Sequence, residues 1–204
     1  KMQGGRVKIG HAGTLDPLAT GVLILATGKM TKQIEKLQTH TKEYVATIQL
    51  GATTPSYDME HEENETFPTE HITRELIETA LQQFIGDIEQ VPPTYSAVKV
   101  NGQRAFDYRR NGEDIVLKPK NIRIDEIEIT HFDADRMQLT LRVVCGKGTY
   151  IRALARDLGR AINSGAYLVA LRRTRIGNIK VEECINYDHF NEWLNQQNIE
   201  IVDK

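Results

Sequence analysis

Cysteine is scarce in this 204-residue chain: Cys145 and Cys184 are the only two. Two thiols suggest no disulfide framework and too few ligands for a zinc site. A reduced, cytoplasmic compartment fits them. No apolar run approaches the ~20 residues of a membrane span, and no secretory signal is visible. Internal repeats and low-complexity linkers are also missing. The chain carries no overall positive charge. Its formal net charge is −2, which by itself argues against a nucleic-acid protein.

What is present is a hydrophobic content of 40%, adequate for the core of one good-sized domain or two small ones. Charge is segregated. From Arg142 to Lys180 there are nine lysines and arginines and one acid, Asp157, whereas Asp58 to Glu89 holds ten acids and one base, Arg74. Such segregation can build a basic face on an acidic molecule, because phosphate attraction is local. The plainer account is a set of solvated helix surfaces.

Gly10 to Leu25, GHAGTLDPLATGVLIL, centres on one acid, Asp16, set between Gly13 and Gly21 and followed by Pro17. Val22–Ala26 reads as a buried strand. A carboxylate on a stiff loop anchored by a strand can present a nucleophile or a base. Asp-Pro is also an ordinary turn starter. The lysine and hydroxyl of a phosphate-binding G-x-x-x-x-G-K-[ST] loop are missing. No second carboxylate lies within the motif, so a glycosidase-like acid pair is not visible locally.

Periodicity predicts a helix over Lys29–Leu37 capped near Thr31, a strand over Glu43–Leu50, and a mobile acidic loop, away from phosphate, over Thr53–Thr69. A helix from Thr73 to about Phe84 ends at Gly86. Strand Tyr95–Val100, a turn at Asn101-Gly102 and a short helix Ala105–Arg110 follow. Strands Ile122–Phe132 and Met137–Cys145 lead through Gly146-Lys147-Gly148 to a helix from Tyr150 to Ile162. Strand Ala166–Ile176 comes next, then a last short helix near Trp193 capped by Asp188. The expected class is α+β with long antiparallel strands.

The Gly10–Leu25 stretch resembles the catalytic-aspartate motif of the B-type tRNA pseudouridine synthases, the TruB family. The likeness continues in KEYVATIQLGATTPSYD from Lys42, PPTYSAVKVNGQRAFDYRRNG from Pro92, VVCGKGTYIRALARDLG from Val143 and LVALRRTRIG from Leu168. These blocks stand in family order and span Gly10 to Gly177. The resemblance implies the pseudouridine synthase fold, an α+β fold with a mixed, largely antiparallel central sheet flanked by helices, in a single catalytic domain over residues 1–204. Relatives carry an earlier strand with a lysine-proline motif, so a truncated N-terminus is expected. No segment after Ile176 looks long enough for the small PUA-type RNA-binding domain often found in the family. Phe106 stands where many relatives have tyrosine.

The resemblance makes Asp16 the catalytic residue and Arg152 the positive charge beside it; Arg156 and Arg160 are read in part as a solvated stripe. It makes Tyr44 the active-site tyrosine, able to stack on a flipped uracil or move a proton, although a cross-strand packing role is the plain reading. Tyr150 lines the same pocket and Leu171 closes it. His11 supports base extrusion, not metal binding, or is simply a loop histidine. Lys99 is a phosphate contact, a support for the catalytic loop or a surface lysine. Arg172 and Arg173 are phosphate contacts.

The implied reaction isomerises the T-loop uridine of tRNA without a cofactor. The implied partner is the tRNA T-arm stem-loop, with no membrane, no required protein partner and a monomeric enzyme. Three rivals stay open: a dyskerin-type enzyme guided by a separate RNA, an RNA-binding protein without catalysis, and a nucleotide-binding protein using the glycine loop.

Overall fold

The computed structural model describes residues 7–96, 98–100, 102–110 and 115–197. In chain order the N-terminal part forms β1 (Ile9–His11), β2 (Ala19–Gly21), β3 (Leu25–Thr27), a 3-10 turn into α1 (Ile34–Gln38), and β4 (Lys42–Leu50). The middle forms β5 (Ala52–Thr53), β6 (Glu65–Thr66), α2 (Arg74–Leu81), β7 (Gly86–Gln90), β8 (Lys99–Val100), β9 (Gln103–Arg104) and α3 (Ala105–Arg110). The rest forms β10 (Lys120–Asp133), β11 (Gln138–Cys145), α4 (Ile151–Ala161), β12 (Ala166–Ile176), β13 (Ile179–Lys180) and α5 (Phe190–Gln196).

The main sheet runs β13-β12-β4-β11-β10-β7, and β2 also pairs with β12. All its ladders are antiparallel except β2 with β12, where Leu171, Arg172 and Arg173 face Ala19, Thr20 and Gly21. The expected α+β class with a mixed, largely antiparallel sheet therefore holds.

Alternation builds the core. Ala46, Ile48 and Leu50 of β4 and Leu139, Leu141 and Val143 of β11 turn one face inward. That face meets Leu154 and Leu158 of α4 and Ile77 and Leu81 of α2. Helix α2 starts where its sequence predicts: the Thr73 side chain accepts from the Leu76 amide, satisfying an otherwise orphaned donor. The outer face of the sheet is polar. There Glu43 receives Arg142 at 3.1 Å, Arg175 at 3.5 Å and the Thr174 hydroxyl at 2.9 Å.

Several expectations need correction. Val22–Ala26 is not one buried strand. Val22 and Ala26 are buried, but Leu23 and Leu25 are exposed, and only Leu25–Thr27 forms a strand. Residues 19–21 ahead of it pair with β12, which also takes the Val22 amide. The Lys29–Leu37 helix splits into a 3-10 turn and α1, without a threonine side-chain cap. Strand β7 stands where only a helix end was expected, while Tyr95–Val100 shortens to β8. The Asn186 side chain, not Asp188, caps the turn leading into α5.

Candidate active site

Asp16 lies in the loop joining β1 to β2, where its carbonyl accepts from the Ala19 amide at 2.9 Å. Gly13 and Gly21 bracket this loop at φ 101° and 103°, values that favour glycine. At Gly21 the fit is tight, because a Cβ there would stand 2.1 Å from the Arg173 carbonyl oxygen.

Arg173 fastens this loop to the sheet. Its carbonyl accepts from Val22 N at 2.9 Å. Its side chain donates to Val22 O at 2.8 Å, Gly13 O at 3.2 Å and Thr14 O at 3.4 Å. Arg173 is only 1% exposed, so the expected phosphate contact does not hold for it. Arg172, the next residue on β12, points the other way and is exposed, as period-2 alternation requires.

Arg152 enters from the first turn of α4. Its Nε donates to Asp16 Oδ2 at 3.0 Å and its Nη2 to Oδ1 at 2.9 Å. This is the fork geometry by which guanidinium binds carboxylate most specifically. The Arg152 side chain is 4% exposed, while that of Asp16 is 36% exposed. The carboxylate thus faces solvent on one side and a buried cation on the other.

The acidic Thr53–Thr69 loop, expected only to lie away from phosphate, supplies a second carboxylate. Arg152 Nη1 stands 3.5 Å from Asp58 Oδ2 and donates to the Ser56 carbonyl at 3.2 Å. Asp58 is itself fixed: Ser56 Oγ and the Glu60 amide donate to its Oδ1. Between Ser56 and Asp58, Tyr57 adopts φ 59°, uncommon for a bulky residue. This turn places the Tyr57 ring 5.4 Å from the Arg156 guanidinium carbon. Arg156 is buried as well, donating to Val91 O and Asp157, so only Arg160 of the expected stripe is solvated.

These groups border an open cleft of about 980 Å³, lined also by His11, Tyr44, Tyr150 and Leu171. Six of the predicted residues, His11, Asp16, Tyr44, Tyr150, Leu171 and Arg173, therefore meet Arg152 at one place. Burial pushes the Tyr44 and Tyr150 phenols above their ordinary values, so both remain protonated at neutral pH. Burial also lowers Lys42, whose Nζ donates to Gln38 O at the cleft floor. The Lys99 side chain lies outside the described residues. Asp58, Glu60 and His61 were not singled out as site residues; the only signal for Asp58 was its place at the end of the KEYVATIQLGATTPSYD block. Among the described residues no group of three His, Cys, Asp or Glu side chains could hold a metal ion. No helix among them is long and apolar enough to cross a membrane.

Comparison with known proteins agrees with this geometry. Residues 1–151 match the profile of the TruB family pseudouridylate synthase N-terminal domain. Residues 152–202 match that of the tRNA pseudouridylate synthase B C-terminal domain. The chain is 61% identical over 197 residues to tRNA pseudouridine synthase B of Phocaeicola vulgatus, covering 97% of this chain and 83% of that protein. It is 59% identical over 203 residues to the Bacteroides fragilis protein of the same name, covering 100% and 86%. Among solved structures, a chain in a Cbf5-Nop10-Gar1 complex superposes with TM-score 0.64 at 28% identity, covering 93% of this chain and 49% of that one. A chain of an H/ACA RNP bound to a substrate RNA containing 2′-deoxyuridine gives TM-score 0.63 at 25% identity, covering 94% and 48%. The chain thus spans about half the length of these structural neighbours. With its profile matched across the aspartate loop, the sheet and α4, the chain belongs to the TruB family of pseudouridylate synthases.

Proposed function

We propose that the chain is a tRNA pseudouridine synthase acting on the T-loop uridine, with Asp16 as its catalytic residue. The observation that carries this reading is the bidentate Arg152–Asp16 pair at the edge of an open cleft. The relatives named tRNA pseudouridine synthase B, at 59–61% identity, support the choice of tRNA.

The reaction breaks the C1′–N1 bond and forms a C1′–C5 bond. The proton on C5 leaves, and one is taken up at N1. No electrons are exchanged with another molecule. A carboxylate fixed by both oxygens can attack the anomeric carbon, stabilise the charge that develops there, or attack the uracil ring. The uridine must first leave its stack, at a cost of about a few kcal/mol. Tyr44, Tyr150 and Leu171 offer the extruded base aromatic and apolar surface, and the Tyr44 hydroxyl can move the C5 proton. His11 stands near the displaced base. The exposed Arg172 faces RNA phosphate.

The same reading takes the chain as one catalytic unit. The boundary between the two matched profiles falls within α4, and β12, from the second, lies between β4 and β2 in the sheet. It also takes the chain to act as a monomer on bare RNA. A guide-dependent mode is the second reading, favoured by structural neighbours that belong to a Cbf5-Nop10-Gar1 complex and an H/ACA RNP. Tritium release from a T-arm stem-loop labelled at uridine C5 separates them. Release with no added RNA or protein supports the stand-alone enzyme. Release only on addition of a guide RNA supports the other.

A further inference from the structure

His61 sits three residues beyond Asp58 and lines the same cleft as Asp16. Its Nδ1 lies 2.9 Å from Ser56 Oγ. Ser56 is fully buried, and its hydroxyl has one proton to give. That proton goes to Asp58 Oδ1, an acceptor that faces Arg152 through its other oxygen. Ser56 Oγ therefore meets His61 as an acceptor, and His61 Nδ1 carries the hydrogen. In the neutral ring this leaves Nε2 bare.

The ring is also held sideways. It lies against Tyr95 with centroids 4.7 Å apart and an interplanar angle of 54°. Nε2, on the edge away from Ser56, has no partner among the described residues. With the ring neutral, the cleft wall thus carries a fixed ring nitrogen that accepts a hydrogen bond and gives none. Phosphate has no donor to offer it, and neighbouring Glu60, also lining the cleft, repels phosphate further. RNA does offer donors of two kinds, ribose 2′-hydroxyls and base N–H groups.

We propose that His61 is a specificity-determining residue whose Nε2 accepts a hydrogen bond from a 2′-hydroxyl or base N–H of the RNA. This rests on the synthase reading given above. His61 differs in kind from Arg152, which grips carboxylates. It selects for a donor at one position, and the hydrogen bonds through Ser56 and Asp58 tie that position to Arg152.

Two substitutions separate the ring nitrogens. His61→Asn puts an amide near Nδ1 and keeps the bond to Ser56. His61→Gln puts an amide oxygen near Nε2. Both are assayed by tritium release on the T-arm stem-loop, alongside stem-loops that each carry one 2′-deoxynucleotide. His61→Asn should raise KM about fivefold, the loss of one neutral hydrogen bond, with kcat and the urea midpoint unchanged. His61→Gln should keep the parent KM. A deoxy position that weakens the parent but adds nothing to His61→Asn identifies a 2′-hydroxyl donor. Deoxy effects that all add to His61→Asn identify a base N–H donor. Any pattern in which His61→Gln is no better than His61→Asn overturns the proposal. So does an unchanged KM in His61→Asn. A parent that releases no tritium sinks the synthase reading instead, and the two variants are then compared by stem-loop Kd alone.

Discussion

One guanidinium, Arg152, holds both oxygens of Asp16 at 2.9 and 3.0 Å. Its remaining nitrogen faces a second carboxylate, Asp58, at 3.5 Å. Arg152→Ala leaves the buried Asp58 without its cation, and breaking a buried pair in this way costs about 3–5 kcal/mol. The urea midpoint should fall accordingly. Arg152→Lys keeps the charge but loses the fork, and misplacing Asp16 by an ångström should lower kcat about 10²-fold. An Arg152→Ala protein with the parent midpoint would contradict this account of the pair.

Arg172 and Arg173 are adjacent, yet they should behave differently. Arg173→Met frees the carbonyls of Gly13, Thr14 and Val22 and loosens the aspartate loop. It should lower kcat while leaving the stem-loop Kd and its salt dependence alone. Arg172→Ala should raise Kd and reduce the salt slope by about 1. Filter binding across a salt series reads both. A reduced slope in Arg173→Met would return Arg173 to phosphate binding.

Gly21 should not tolerate a side chain. Alanine there combines φ 103° with a Cβ 2.1 Å from the Arg173 carbonyl oxygen. Strain and overpacking together predict a loss of about 2–4 kcal/mol. Denaturant unfolding of Gly21→Ala measures it, and the parent's stability in that variant would mean that β2 does not approach β12 so closely.

Glu43 gives stability an acid limb. Its partial burial pushes its pKa up, but the Thr174 hydrogen bond and the Arg142 and Arg175 charges outweigh this and hold it below its ordinary 4.5. A depressed folded-state pKa contributes stability that is fully present above the unfolded value and is lost as pH falls through the folded one. Parent and Glu43→Gln should therefore differ most in thermal midpoint near neutral pH. They should converge as pH falls below about 4.5. A constant gap down to strongly acid pH would refute the assignment.

Long periodic elements were the legible part of this chain. EYVATIQL alternates from Ala46 onward, and Ala166–Ile176 appears as a strand with the bounds its sequence suggests. Short elements were not. Gly86–Gln90 has Ile88 as its one aliphatic residue, too little for a periodic signal, yet it closes the sheet edge beside β10. The Asp16–Arg152 pair joins residues 136 apart, a distance no local pattern bridges. Only the family resemblance named both. Asp58 was hidden because its loop holds many acids, and composition cannot tell the one that turns inward. The inward turn of Arg173 is legible in the sequence. On a strand it shares a face with Leu171, which was already assigned to the pocket, so alternation alone sends Arg173 inward and Arg172 outward.

The central claim is that the Asp16 carboxylate carries out the chemistry on uridine. The direct measurement is single-turnover tritium release from a C5-labelled T-arm stem-loop by the parent and by Asp16→Asn, with stem-loop binding measured for both. The account predicts release by the parent, and no release by an Asp16→Asn protein that still binds the stem-loop. Release by Asp16→Asn at the parent rate would contradict it.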